Sequence, residues 1–134
     1  MKLVRFSTSD SLGALFTKLD DLLDALKIPY AHNGTIRLIL EEVIMNIYSY
    51  AYPQDESGHF TLQCAVKKDR FIAIFRDWGI EFNLLHNPVR HKPADLDSTP
   101  YGGLGIEMIR TLADDLLYER DSDTNILRIE KHFN

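Results

Sequence analysis

At 134 residues the chain has the length of one ordinary domain, since domains cluster at roughly 100–150 residues. Its apolar fraction of 45% and charged fraction of 26% are those of a globular protein with enough apolar side chains for a core, which excludes a disordered or fibrous chain. A net charge of −5 and a single cysteine, Cys64, argue against coating nucleic acid or anionic lipid, against an internal disulfide and against a cysteine zinc site.

The first residues, Met1-Lys2-Leu3-Val4-Arg5-Phe6, carry no apolar signal-peptide core, and no run of about 18 apolar residues occurs that could span a membrane. The expectation is therefore a soluble, cytoplasmic chain forming one domain over residues 1–134.

In chain order, residues 2–7 read as a short strand, and Ser9 and Asp10 offer cap chemistry for a helix whose apolar residues run from Leu12 to Leu26 at helical spacing. Pro29 ends that pattern. Asn33-Gly34-Thr35 is a second cap signal, opening a helix with Ile36, Ile39, Leu40, Val43, Ile44 and Ile47 that runs to about Ala51 before Pro53. This second helix is apolar almost all round. A polar residue facing inward from it would need a partner or a task.

The period then changes. Phe60, Leu62, Cys64 and Val66 alternate with polar residues as in a half-buried strand, and Phe71-Ile72-Ala73-Ile74-Phe75 is a strand covered on both faces. Residues 83–101 hold three prolines and no periodicity, and a stretch of that length in so small a domain reads as a functional lid. Gly102-Gly103-Leu104-Gly105 leads into a third helix, and two strands joined by Asp121-Ser122-Asp123 close the chain. The order β-α-α-β-β-loop-α-β-β predicts an α+β sandwich with helices on one face of a mixed sheet.

Three segments can carry chemistry. Glu42 and Asn46 are one helical turn apart among apolar neighbours, so a carboxylate and a carboxamide share one face. An amide oxygen can ligate a hard cation while the carboxylate orients or deprotonates a nucleophile. The plainer reading stands beside this: Glu41 and Glu42 as solvated residues and Asn46 as a local turn cap. Asp77-Trp78-Gly79 follows the apolar strand, where a carboxylate can face a pocket and a glycine lets a flat ring approach the backbone, although any tight turn looks similar. Gly102-Gly103-Leu104-Gly105 opens a helix, whose free N–H groups favour phosphate. It lacks the Lys-Ser/Thr of a P-loop and the preceding strand of a dinucleotide fingerprint.

Taken together and in this order, Leu40-Glu41-Glu42-Val43-Ile44-Met45-Asn46, Asp77-Trp78-Gly79-Ile80-Glu81-Phe82 and Gly102-Gly103-Leu104-Gly105-Ile106 resemble the asparagine, aspartate and glycine boxes of the gyrase, chaperone, histidine-kinase and mismatch-repair ATPase superfamily. Within it, the short lid and the ending GGLGIEMIRTLADDLLYERDSDTNILRIEK are similar to the anti-sigma factor serine/threonine protein kinases of bacterial partner-switching systems. The resemblance spans about residues 5–131. It implies a two-layer sandwich of the histidine kinase-like ATPase (Bergerat) type, with helices on one face of a mixed, mostly antiparallel sheet.

The resemblance also implies ATP and Mg2+ as ligands. Asn46 would ligate the magnesium and touch the nucleotide, Glu42 would be the general base, Asp77 would accept from the adenine amino group, and Gly79 would make room for the base. Gly102, Gly103, Leu104 and Gly105 would wrap the triphosphate. Two departures stand out: Tyr50 occupies the position where a histidine or arginine commonly follows the asparagine, and Asn83-Leu84 replaces the usual Asp-Pro.

The other candidates carry less. His86 and His91 lack a third ligand for a metal. Arg90, His91 and Lys92 form a small basic cluster that reads equally as closing over phosphates or as solvated loop. Cys64 reads as a small core hydrophobe. Tyr48, Tyr50 and Tyr52 share no single helical face and read as packing residues.

Two functions follow. One is an ATP-dependent serine/threonine kinase that phosphorylates a STAS-type anti-anti-sigma protein and restrains a sigma factor, in a family where homodimers are common. The other is a non-catalytic module of the same fold that uses ATP or ADP to select a protein partner.

Overall fold

The structure is a computed structural model, and it describes residues 1–53, 56–83 and 103–134. In chain order the elements are β1 (Lys2–Ser7), α1 (Leu12–Ala25), α2 (Tyr30–Asn46), a π-helical turn (Ile47–Ala51), β2 (His59–Val66), β3 (Arg70–Asp77), α3 (Gly103–Leu112), β4 (Asp115–Asp121) and β5 (Thr124–His132). The expected lid, with Arg90, His91 and Lys92, lies outside the described residues except for Asn83. So do Gly102, His86 and His91.

The five strands form one sheet in the order β1-β2-β3-β5-β4. Every pairing among the described residues is antiparallel, so the α+β sandwich is observed without the parallel pair that a mixed sheet implies. The reason lies in the connections: β2–β3 and β4–β5 are hairpins, and β5 enters beside β3 from the opposite direction.

Alternation along the strands sends Phe6, Phe60, Leu62, Cys64, Phe71, Ala73, Phe75, Leu127 and Ile129 into the core with the apolar faces of the helices. Phe6 stacks on Phe60 with ring centroids 4.8 Å apart. The other face carries Arg70, Arg76, Arg128 and Glu130, joined by polar bonds such as Arg70 Nη1 to Glu130 Oε1 at 2.8 Å and Arg76 Nη1 to Gln63 Oε1 at 2.8 Å.

Helix starts differ from expectation. Ser11, rather than Ser9 or Asp10, caps α1, its hydroxyl accepting from the Ala14 N–H at 3.1 Å. Helix α2 begins a turn before Asn33-Gly34-Thr35, at Tyr30 after Pro29, because proline's fixed φ already suits a helix entry. Inward residues Leu15, Leu19 and Leu23 of α1 and Ile36, Leu40, Val43 and Ile44 of α2 are essentially buried. An Arg37–Asp20 ion pair joins the two helices at the surface. No helix among the described residues is long and apolar enough to cross a membrane.

Candidate functional site

Helix α2 is the spine of the site. Asn46, at its last turn, is buried at 5% exposure among apolar neighbours. Its Nδ2 donates to the Glu42 carbonyl at 2.8 Å, and that bond orients the carboxamide so that the oxygen is left over. Asn46 Oδ1 is buried without a hydrogen-bond partner among the described residues, a costly state that most buried polar atoms avoid. A neutral carboxamide oxygen with free lone pairs is a donor of the kind that magnesium takes, so the residue fits the cation the family pattern implies.

The Glu42 side chain lies under the first turn of α3. A methyl group at Gly105 would fall 2.3 Å from Glu42 Oε2, so the glycine lets helix and carboxylate meet. Burial, and secondarily the like charge of Glu41, hold the Glu42 carboxyl above its ordinary pKa. Gly103 is the first residue of α3.

Asp77 ends β3. The register sets it between Phe60 on β2 and Asn125 on β5, with Arg120 of β4 beyond Asn125. Asp77 is buried, and its Oδ1 accepts from Gly79 N–H at 3.0 Å and from Asn125 Nδ2 at 2.9 Å. Burial pushes its carboxyl above the ordinary range, against the opposing pull of Asn125, Gly79 and Arg120.

Asn46 and Asp77 line one cleft, together with Tyr50, Phe82, Tyr118 and Asn125 and apolar walls from Val43, Ile47, Phe75, Ile80 and Leu127. An apolar slot with a few convergent polar groups is the usual form of a small-molecule site. Tyr50 stands at this cleft and stacks on Phe82, centroids 6.4 Å apart. Tyr48 and Tyr52 pack against the core, and the Tyr52 hydroxyl accepts from Trp78 N–H at 3.0 Å.

Gly79 packs against the backbone of its own chain. Its open side is filled by this chain: an added methyl would meet the Ala51 carbonyl oxygen at 2.1 Å, and Ile80 N–H donates to that same oxygen at 2.9 Å. The glycine thus seats the end of the π-helical turn against the loop that carries Asp77.

Sequence reasoning missed Asn125 and Tyr118. The signal was present in β5, where Asn125 begins the inward series Asn125, Leu127, Ile129, a polar residue on an apolar face. A separate group, Asp115, Glu130 and His132, has ligand atoms within 4.8 Å of one another. Arg70 and Arg128 already hold Glu130 at 2.8 and 3.1 Å, which makes the group an ion-pair network and a poor cation site.

Comparison with known proteins adds to this geometry. A family model described as "Histidine kinase-like ATPase domain" matches residues 7–131. The chain is 28% identical over 96 residues to a "Serine-protein kinase RsbW" of Bacillus mycoides, an alignment covering 69% of this chain and 59% of that relative. It is 26% identical over 120 residues to the protein of the same name in Bacillus licheniformis, covering 86% and 74%. The chain thus spans only about 59% of the length of the first of these relatives.

Among solved structures it superposes on a blue-light activated histidine kinase of Erythrobacter litoralis with a TM-score of 0.56 at 21% identity, over 78% of this chain and 31% of that one. It superposes on the catalytic domain of histidine kinase ThkA with a TM-score of 0.54 at 10% identity, over 98% and 97%. These two show a shared fold. The family match, covering nearly the whole chain, shows more: this protein belongs to the histidine kinase-like ATPase domain family.

Proposed function

We propose that this protein is an ATP-dependent serine/threonine kinase of the anti-sigma type, acting on a STAS-type anti-anti-sigma protein and restraining a sigma factor. The observation that carries the reading is the pairing on α2 of a buried, unpartnered Asn46 Oδ1 with a half-buried Glu42 whose carboxyl is held above its ordinary pKa. Neither feature serves the core, and phosphoryl transfer needs both a cation ligand and a base.

In this reading Asp77 accepts a hydrogen bond from the adenine amino group inside the apolar cleft, and Gly103, Gly105 and their neighbours at the start of α3 face the phosphates. Magnesium, ligated by Asn46, would supply charge neutralisation at the phosphates. Glu42 takes the proton of the incoming serine hydroxyl as its oxygen bonds to the γ-phosphorus, and the bond from that phosphorus to the bridging oxygen breaks to leave ADP. The similarity to proteins named serine-protein kinase supports serine as the acceptor.

The test is transfer of radiolabelled γ-phosphate to a STAS protein chosen from the gene neighbourhood. The wild type is expected to label it. Glu42→Ala is expected to keep ATP binding and lose transfer by about 10²–10⁴-fold, the range for removing a positioned base. A wild type that binds ATP and labels no such partner would favour the non-catalytic partner-selecting module instead.

A further inference from the structure

Asp77 does not stand alone in the cleft. The Asn125 carboxamide is satisfied on every side: Nδ2 donates to Asp77 Oδ1 at 2.9 Å and to the Ile80 carbonyl at 2.7 Å, while Oδ1 accepts from the Tyr118 hydroxyl and, at 3.5 Å, from the Phe82 N–H. This pattern leaves one orientation for the amide. A flipped carboxamide would set its oxygen against two acceptors, Asp77 Oδ1 and the Ile80 carbonyl. The Tyr118 hydroxyl, donating to Asn125 Oδ1 from the neighbouring strand, locks the orientation that offers Asp77 a donor.

With Gly79 N–H and Asn125 Nδ2 both on Oδ1, the charged form of the carboxylate is the one that the surroundings hydrogen-bond. Resting on the nucleotide reading above, we propose that Asn125 and Tyr118 are positioning residues that hold Asp77 as an acceptor-only carboxylate, so that the cleft selects a purine bearing an amino group over one bearing a carbonyl in its place.

The opposing influence is burial, which drives Asp77 toward its neutral form. Among the described residues, the other charged or titratable groups around it are Arg120 and Tyr118 of β4 and Tyr52 after the π-helical turn; Glu81 acts on Tyr118. Arg120, whose Nη1 donates to the Gly79 carbonyl at 3.0 Å, also favours the charge. When the Asn125 donor is lost or turned away, burial is less well opposed, and Asp77 takes up a proton at a higher pH. A protonated carboxyl offers an O–H donor and so accommodates a carbonyl at the position where it otherwise demands an amino group. The inference therefore concerns which base is chosen and at which pH.

The experiment is calorimetric titration of the full chain with ADP and with inosine diphosphate, which replaces the amino group by a carbonyl, from pH 5.5 to 8. It compares wild type, Tyr118→Phe and Asn125→Leu, with unliganded melting as the control for folding. The ADP-to-IDP affinity ratio cancels the titration of the phosphates. Wild type is expected to hold its preference for ADP to a lower pH than either variant. Both variants are expected to lose that preference as the pH falls, and to lose it at a higher pH than wild type, because Asp77 takes up its proton more readily once the Asn125 donor is lost or turned away.

Tyr118→Phe keeps the ring and decides the matter if Asn125→Leu fails to fold. A preference that stays flat with pH in folded variants, whether at wild-type level or lowered by one constant factor, overturns the proposal and leaves Asn125 and Tyr118 as packing residues. A wild type that binds neither nucleotide overturns the nucleotide reading itself, a result distinguishable from the first.

Discussion

Gly105 and Glu42 meet without intervening atoms: a methyl group on the glycine would lie 2.3 Å from the carboxylate Oε2 and 3.1 Å from its Cδ. The atoms in the way are the far end of a flexible side chain, so Gly105→Ala is expected to fold with nearly wild-type stability while pushing the carboxylate aside. Phosphate transfer should fall by about 10²-fold, toward the loss seen when a base is removed. Melting curves and the transfer assay together check this, and an alanine variant with undiminished transfer would take Glu42 out of the mechanism.

Gly79 faces backbone rather than a side-chain tip, with the Ala51 carbonyl oxygen 2.1 Å from an added methyl. Backbone cannot rotate away, and overpacking costs about 1–3 kcal/mol. Gly79→Ala should therefore lower stability by at least that amount in urea denaturation of the unliganded protein. A fully stable variant would mean that the loop and the π-helical turn separate freely.

Asn46→Ala removes an oxygen that has no partner in the described structure. The unliganded protein should lose only the Nδ2 bond to Glu42, about 1 kcal/mol, whereas magnesium should no longer tighten ATP binding. Titration of ATP with and without magnesium measures this directly. If the alanine variant melts far below wild type with no nucleotide present, Asn46 is a structural residue.

The pH dependence has a definite sign. Asp77, raised chiefly by burial, and Glu42, raised by burial and then by Glu41, bind protons more readily folded than unfolded. Their contribution to stability is full below the ordinary carboxylate range and is lost as pH climbs through the folded values. Asp114, lowered by the His132 backbone N–H and by Lys131, acts oppositely: its contribution is present above the ordinary value and disappears as pH falls.

Asp77→Asn should accordingly flatten the decline in stability with rising pH, raise unliganded stability at neutral pH, and weaken adenine nucleotides by about tenfold, through loss of a charge-assisted hydrogen bond. Denaturation at several pH values with parallel ADP titrations checks both. A variant destabilised at neutral pH would contradict the assignment of burial as the dominant cause.

Cys64 is fully buried, and burial pushes its thiol up to about 12. The thiolate is the reactive form, so alkylation of the native protein at pH 8 should be slow and should follow the rate at which the fold opens. Fast modification of folded protein would show the inward face of β2 to be accessible.

Much of this was legible in the chain. Alternation in β2, the helical spacing of the leucines in α1 and the apolar run of β3 set the element types, because periods of 2 and 3.6 leave distinct traces. Spacing on one helix put Glu42 and Asn46 on one face, and the three glycine and carboxylate segments in order marked the family. The start of α2 was misplaced because Asn33-Gly34-Thr35 resembles a cap as strongly as the Pro29-Tyr30 entry does, and nothing local decides between them.

What the sequence determined by itself was local: the kinds of element, the inward faces and the residue types able to hold a cation, a proton or a base. The tertiary structure decided who meets whom. Asp77 and Asn125 are 48 positions apart and touch because β5 lies beside β3 rather than next to β2, and Gly79 serves Ala51 because the π-helical turn ends against that loop. Strand order and the abutment of one element's end on another's loop arise from burial of the whole core, which depends on the sum of apolar area and carries little trace in any short segment.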